Sequence, residues 1–199
     1  MRLLLSAAVL TAALSGSVRA DLPNCADTMV GPVTVTVNPG QSIQSALDSA
    51  KPGTIIRVKA GTYNGSISLS KLRGTAAKPI LLISADGPGK AVIAGSYNKA
   101  AVSSWGGYYF GMYGFRVVAN TTKGDVGGFK IGGEWDNPPH DLVFAGNTIV
   151  GKGQDGFKLY SGAYNVTVVG NLIDGQWRQE VIDNVSVEDV TYAYNTVKG

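Results

Sequence analysis

Three asparagines in the C-terminal half of the chain recur at a constant spacing of 24 residues. Each closes a short run that is rich in β-branched and aromatic residues, and an apolar residue follows it by two positions. The copies occupy residues 143–149, 167–173 and 191–197, with Asn147, Asn171 and Asn195 at the same place in each. A fixed period of this length is typical of a solenoid, in which each repeat packs only on its neighbours.

A second pattern, in which two apolar residues flank one polar residue, recurs every 28 residues in the same region. This alternation is typical of a half-buried strand. Its copies lie at residues 129–131, 157–159 and 185–187, and they match one another less closely than the asparagine copies do. Constant spacing within each pattern, with different spacing between the two, predicts fixed strands joined by loops of variable length.

These repeats predict an all-β fold. A leucine-rich repeat has a similar period, but its leucine pattern is absent here and β-branched residues dominate. The 27 glycines follow no Gly-X-Y period and the apolar content is 44%, so collagen and disorder are both excluded. We therefore predict a single-stranded, right-handed parallel β-helix, with equivalent residues stacked about 4.8 Å apart. The stacked asparagines are then expected to form a structural hydrogen-bonded ladder at the turns.

The N-terminal half predicts a capped start to the solenoid. After a short strand at residues 33–37, Ser42 is expected to cap a helix over residues 43–50. Ile43, Ala46 and Leu47 lie on one face of this helix, which can cover the apolar end of the first coil. Further strands are predicted at residues 54–58, 66–69, 80–84, 91–94, 108–112 and 115–118.

The two ends of the sequence carry separate predictions. Residues 1–20 combine a charged start, a short apolar run and small residues at a cleavage point, which indicates a secretory signal. We therefore expect a secreted or periplasmic protein with one β-helix domain over residues 21–199. Cys25 has no internal disulfide partner. No capping segment follows the last asparagine copy, which favours a truncated solenoid or an oligomer formed through the uncapped coil.

Charge and hydropathy restrict the partners. The net charge is +3 with scattered basic residues, so no basic block of the kind that favours nucleic acid is present. No second apolar stretch of spanning length follows residue 20, so we expect no membrane association once the signal is removed.

Several strings resemble secreted β-helix polysaccharide lyases. Residues 51–56, 60–63 and 74–80 resemble the opening of these proteins, and residues 155–159 and 165–168 resemble their middle coils. The similarity is greatest to the alginate lyase and chondroitinase B group and to one pectate lyase family, within the pectate lyase-like superfamily. It implies an acidic polysaccharide as partner and β-elimination as the reaction, although epimerases and hydrolases share such strings.

The 28-residue register places charged residues on the outer face of the predicted solenoid. It stacks Lys130 over Lys158 and Asp155 over Asp183, at about the 4.8 Å spacing of neighbouring strands. Like charges so close repel one another unless opposite charges or a cation lie between them. The aspartates, with Glu180 nearby in sequence, are therefore candidate Ca²⁺ ligands, or alternatively they bind turn amides.

The resemblance assigns roles to some of these residues. In the lyases, Ca²⁺ neutralises a uronate carboxylate and a lysine or arginine removes the adjacent proton. This implies Lys158 and Lys130 as catalytic candidates, with the pKa of Lys158 lowered by its lysine neighbour, and Arg178 as a further basic candidate that binds the substrate carboxylate. Tyr160 and Trp177 are candidate sugar-binding residues.

Other readings of these residues stay open. Lys130 and Lys158 can be solvated strand residues, and the whole protein can be a non-catalytic glycan-binding or structural solenoid. Asp155 and Asp183 as a catalytic pair would instead predict a glycoside hydrolase, and their close spacing would favour retention of configuration. The single histidine, His140, follows a Pro-Pro pair in a predicted surface loop and cannot build a zinc site alone.

Overall fold

The structure of the protein is a computed structural model that describes residues 33–122, 124 and 126–198. The predicted signal at residues 1–20 and Cys25 lie outside the described residues. The described chain contains one helix, α1 (Ile43–Ser49), and eighteen strands, β1 to β18. With seven residues, α1 is too short to cross a bilayer, and no other helix occurs in the described part of the chain.

The strands form three sheets, and every strand pairing is parallel. The seven-stranded sheet contains, in order, β1 (Val33–Val37), β2 (Thr54–Val58), β5 (Ile80–Ser84), β8 (Tyr108–Tyr113), β11 (His140–Ala145), β14 (Tyr164–Val169) and β17 (Glu188–Ala193). The six-stranded sheet contains β3 (Gly61–Asn64), β6 (Ala91–Ala94), β9 (Arg116–Asn120), β12 (Thr148–Gly153), β15 (Leu172–Trp177) and β18 (Thr196–Lys198). The five-stranded sheet contains β4 (Ile67–Ser68), β7 (Val102–Trp105), β10 (Phe129–Gly132), β13 (Phe157–Tyr160) and β16 (Ile182–Val185).

From β2 onward, successive strands along the chain visit the three sheets in turn, so each coil adds one strand to each sheet. The predicted parallel β-helix is therefore confirmed. Its interior holds one continuous apolar cluster, in which the rings of Phe129 and Phe157 stack 5.0 Å apart. The ring of Phe144 meets both of these edge-on, at 5.4 and 5.2 Å. Such pairs stabilise a core beyond the area that they bury.

The predicted asparagine ladder is present. The side-chain oxygen of Asn171 accepts from the backbone N–H and the side-chain amide of Asn147, at 2.9 and 3.1 Å. Asn195 accepts in the same way from Asn171, at 2.9 and 3.0 Å. The ladder begins at Phe115, whose N–H donates to the Asn147 side chain at 3.0 Å. The preceding residue in two of these turns is a glycine with positive φ, whereas Tyr194 takes that conformation before Asn195.

The 28-residue register is correct for one step and wrong for the next. Phe129 pairs with Phe157, as the sequence predicted. Phe157, however, pairs with Ile182 rather than Val185, so this step is 25 residues long. The connection from β13 to β14 is four residues shorter than that from β10 to β11, and the loop after β15 is one residue longer than the loop after β12. A regular apolar triplet at residues 185–187 hid this change of length.

The capped start of the solenoid is confirmed. The hydroxyl of Ser42 accepts from the backbone N–H of Ser45 at 3.2 Å, and Ile43, Ala46 and Leu47 are buried. Helix α1 contacts β1, β2 and β4, and its buried residues join the interior cluster. The sequence missed β3 and β7, and it is β7 that carries Trp105 onto the outer face of the five-stranded sheet.

Candidate functional site

The outer face of the five-stranded sheet carries a column of polar residues, one from each neighbouring coil. Ser103 pairs with Lys130, Lys130 with Lys158, and Lys158 with Asp183. Parallel register places their Cα atoms about 4.8 Å apart. We call Ser103, Lys130, Lys158 and Asp183 the lysine column. The predicted stack of the two lysines is confirmed.

Lys158 lies between two carboxylates. Its Nζ is 2.8 Å from an oxygen of Asp183 and 3.6 Å from an oxygen of Asp155. The side chains of Lys158, Asp155 and Asp183 are 14%, 4% and 18% exposed, so all three charges are largely withdrawn from water. Opposite charges at this distance favour the charged ammonium. The carboxylates therefore oppose the effect by which Lys130 was expected to lower the pKa of Lys158.

The predicted stack of Asp155 over Asp183 is wrong. Because the second step of the register is 25 residues long, Asp183 lies opposite Lys158. The residue one coil beyond Asp155 is Glu180, whose backbone N–H donates to the Asp155 carboxylate at 3.3 Å. The two aspartates therefore meet through the Lys158 ammonium rather than directly.

The arrangement does not fit the predicted Ca²⁺ site. The space between Asp155 and Asp183 is taken by Nζ of Lys158, and the third predicted ligand, Glu180, is an exposed residue that approaches Asp155 through its backbone. Within residues 33–122, 124 and 126–198, no group of three or more His, Cys, Asp or Glu side chains is placed to hold a metal ion.

Aromatic rings flank the lysine column. The rings of Trp105 and Tyr160 lie 5.8 Å apart, on either side of Gly132, where a Cβ would collide with the Tyr160 ring. Nζ of Lys130 lies over the Tyr160 ring at 5.4 Å from its centre, within the range of a cation–π contact. Trp105 is 50% exposed. Of the aromatic candidates from the sequence, Tyr160 is therefore the one placed beside a lysine.

The sequence missed two exposed tryptophans. Trp105 lies on β7, which was not predicted, and Trp135 lies in the loop between β10 and β11. Trp135 is 74% exposed, and its ring lies against Gly162, two residues after Tyr160. An alignment of residues 102–105 with residues 129–132 would have placed Trp105 on the strand next to the one that carries Lys130. Both rings offer flat apolar surfaces next to polar side chains.

The remaining predicted site residues lie in or next to the loop between β15 and β16. The exposed Arg178 donates from Nη2 to the carbonyl of Gly124 at 2.7 Å. The half-buried Trp177 packs against the interior cluster, with its ring over Gly156 and Gly175. Its Nε1 is buried and has no hydrogen-bond partner in the described structure. Trp177 is thus engaged with the core, whereas Trp105 presents an exposed face.

Replacing Lys158 with methionine tests the ion cluster. The variant keeps the apolar stem but leaves Asp155 buried without its cation, so we expect the free energy of unfolding to fall by about 2–3 kcal/mol. The matched control is Lys71→Met, which removes an exposed pair with Asp48 at 3.2 Å and should cost about 0.5 kcal/mol or less. Urea denaturation measures both. Equal losses in the two variants would contradict a buried ion cluster.

The prediction that His140 lies in a surface loop is wrong. His140 is the first residue of β11 in the seven-stranded sheet. Its ring is stacked between those of Tyr108 and Tyr164, at 5.0 and 4.8 Å, and its Nδ1 lies 2.7 Å from the Asp141 carboxylate. The prolines before it end the loop, and register with β8 and β14 places the histidine in line with the two tyrosines.

Comparison with known proteins supports the fold. No family model matches the sequence, and no curated protein matches it. The structure resembles the crystal structure of an alginate lyase from Paenibacillus sp. str. FPU-7, with a TM-score of 0.60 and 18% identity over 84% of this chain. The match spans 67% of the lyase. At this identity the likeness establishes a shared parallel β-helix fold.

Two further solved structures also match. A mannuronic acid specific polysaccharide family 6 lyase from human gut microbiota has a TM-score of 0.45 and 16% identity over 83% of this chain. The pectate lyase Pel9A has a TM-score of 0.39 and 17% identity over 76% of this chain. The chain spans 51% and 57% of the lengths of these two enzymes.

Proposed function

We propose that the protein is an exported polysaccharide lyase that cleaves an acidic, uronate-containing glycan by β-elimination on the outer face of the five-stranded sheet. The observation that carries this proposal is the pairing of Lys130 with Lys158 beside the rings of Trp105 and Tyr160. The signal-like residues 1–20 support export. The lyases that share the fold support the reaction class.

The face suits a sugar chain with anionic groups. Aromatic rings provide the flat apolar surface on which a pyranose ring can lie, and Trp105 is half exposed for this purpose. Lys130 and Lys158 provide ammonium groups within one coil of these rings. A linear glycan that follows the solenoid axis would meet a new side chain about every 4.8 Å. The column can therefore bind several groups of one chain.

In the proposed reaction, a base removes the proton from C5 of the uronate, next to its carboxylate. The electron pair forms a C4–C5 double bond, the C4–O glycosidic bond breaks, and the leaving oxygen takes up a proton from water. One product therefore has an unsaturated sugar at its non-reducing end, and the other has an ordinary one at its reducing end. The reaction needs a base placed near C5 and a positive charge near the carboxylate.

We assign the role of the base to Lys130 rather than to Lys158. Lys158 is paired with Asp155 and Asp183 and is largely buried, so it is less suited than Lys130 to accept a proton from the substrate. Lys130, one coil away over the Tyr160 ring, is then the base. This assignment differs from the sequence prediction, which favoured Lys158 as the base. The predictions that Arg178 binds the substrate and that calcium assists the reaction stay open to test.

Incubation with alginate, pectate and chondroitin, each with calcium and with a chelator, tests the proposal. We expect ultraviolet absorbance from unsaturated products on at least one of them. Absence of this absorbance with all three polysaccharides would contradict the lyase proposal. Release of saturated reducing ends would instead support a glycoside hydrolase. Binding without any product, unchanged in Lys130→Ala, would support a non-catalytic glycan-binding solenoid.

A further inference from the structure

The outer face of the seven-stranded sheet holds a second groove, built from different residues than the lysine column. It has a volume of about 780 Å³ and runs across β8, β11, β14 and β17. His140 and Tyr164 line this groove and belong to an aromatic stack, in which His140 lies between Tyr108 and Tyr164, nearly parallel to both rings. The guanidinium of Arg73 covers the other face of Tyr108 at 5.0 Å. Neighbouring coils therefore build one continuous stack.

The residue after each of the three stacked rings adopts a left-handed backbone conformation, and so does the residue after Glu188, which pairs with Tyr164 in the next coil. Tyr109, Asp141, Asn165 and Asp189 have φ values of 51°, 55°, 51° and 50°. None is a glycine. The conformation costs a residue such as Tyr109 about 1–2 kcal/mol, whereas Asp and Asn adopt it more readily because their short side chains hydrogen-bond locally. Four such residues at the same place in four successive coils turn four polar side chains into one row. Backbone strain of this kind is found at sites where the strained residues position side chains for a function.

Asp141 organises the row. Its carboxylate accepts from Nδ1 of His140 at 2.7 Å and from the side-chain amide of Asn165. Burial and the nearby Asp141 charge raise the pKa of both Tyr109 and Tyr164, and a hydrogen bond to Asp141 adds to the effect at Tyr109. Both phenols therefore stay protonated at neutral pH and offer O–H groups. With the histidine and the amide, they form a polar edge with a fixed geometry.

The groove is unsuited to an anionic chain. The described residues that line it include two acidic residues, Asp141 and Asp189, and neither lysine nor arginine; Arg73 lies over Tyr108, outside this lining. Its floor is formed by small and apolar side chains and by the hydroxyls of Thr167 and Thr191. Phenol, amide, imidazole, carboxylate and threonine groups hydrogen-bond hydroxyls, and tyrosine rings cover the apolar faces of sugars. We propose that this groove binds a saccharide without anionic groups, neutral or amine-bearing.

The size of the groove fits an oligosaccharide. From Tyr109 to Asp189 the row crosses three inter-coil steps, or about 14 Å. The proposal does not depend on lyase activity, because none of the groove residues belongs to the lysine column. The chain would then hold two glycan sites of different chemistry on two different faces. One takes the acidic substrate, and the other takes a different saccharide from the same surroundings.

Calorimetric titration with three hexasaccharides tests the second site. The probes are a neutral mannose hexamer, a glucosamine hexamer and an anionic mannuronate hexamer. We expect at least one of the first two to bind the wild-type protein, and Thr167→Arg, which fills the groove floor, to weaken that binding at least tenfold. The control is Thr62→Arg, at an exposed position of β3 in the six-stranded sheet, which should bind as the wild type does.

The three hexasaccharides and the variants together distinguish the possible ligands. Tighter binding of the glucosamine hexamer that is lost in Asp189→Asn identifies an amine-bearing ligand, and equal binding of both hexamers identifies a neutral one. Thr191→Arg, at an exposed position, gives the same test if Thr167→Arg does not fold. No binding of either non-anionic hexamer, or binding unchanged in the arginine variants, would overturn the proposal. Binding of the mannuronate hexamer that Thr167→Arg leaves unchanged would place this hexamer at the lysine column and not in the groove.

Discussion

Replacing Asn171 with alanine is expected to lower the free energy of unfolding by about 3–4 kcal/mol, a large fraction of the stability of a domain. Asn171 is buried in the middle of the asparagine ladder. Its oxygen accepts from the backbone and the side chain of Asn147, and its amide donates to the carbonyl of Phe144 at 2.9 Å. Alanine leaves these buried groups without partners and opens a cavity in their place.

Asn195→Ala is the graded control for this prediction. Asn195 occupies the equivalent turn one coil further on, but it is only partly buried. Water can therefore replace some of its hydrogen bonds, and the loss should be about 1–2 kcal/mol. Urea denaturation of both variants, followed by far-ultraviolet circular dichroism, measures the difference. A loss below about 1 kcal/mol in Asn171→Ala would contradict a ladder that holds the coils together.

Replacing Lys130 with alanine is expected to lower the rate of product formation at least 100-fold, as removal of a general base does. In the proposed reaction, Lys130 accepts the C5 proton while Lys158 stays paired with its two carboxylates. Ultraviolet absorbance of the unsaturated products measures the rate.

Lys152→Ala is the matched control for the Lys130 variant. It removes the same charge from an exposed position of β12 in the six-stranded sheet, away from the lysine column. The control should keep wild-type activity, and both variants should unfold at the wild-type urea concentration. Product formation that is equal in Lys130→Ala and Lys152→Ala would exclude Lys130 as the base. A loss of product formation in Lys158→Ala but not in Lys130→Ala would identify Lys158 as the base.

The sequence predicted the fold because the asparagine turn is local. Each ladder asparagine bonds the next through its own side chain and backbone, so an asparagine recurs at the same turn in the last three coils. The spacing of 24 residues was therefore readable without any tertiary information. The helix cap at Ser42 could be predicted because it is a local contact, in which the hydroxyl and the N–H that donates to it are three residues apart.

The site was harder to predict because it depends on loop lengths. A connection four residues shorter after β13 and a loop one residue longer after β15 together place Asp183 opposite Lys158. They turn an expected pair of carboxylates into an ion cluster with a lysine at its centre. His140 became part of a stack only because β8 and β14 place tyrosines at the same register. Triplet patterns along one strand do not contain this information, which lies in the pairing between coils.

Mass spectrometry of the products from an acidic glycan tests the central proposal most directly. β-Elimination by the lysine column predicts oligosaccharides with an unsaturated non-reducing end, each lighter by one water than the corresponding hydrolysis product. These products should disappear in Lys130→Ala and persist in Lys152→Ala. Saturated products, or unsaturated products formed equally by both variants, would contradict a lyase centred on Lys130.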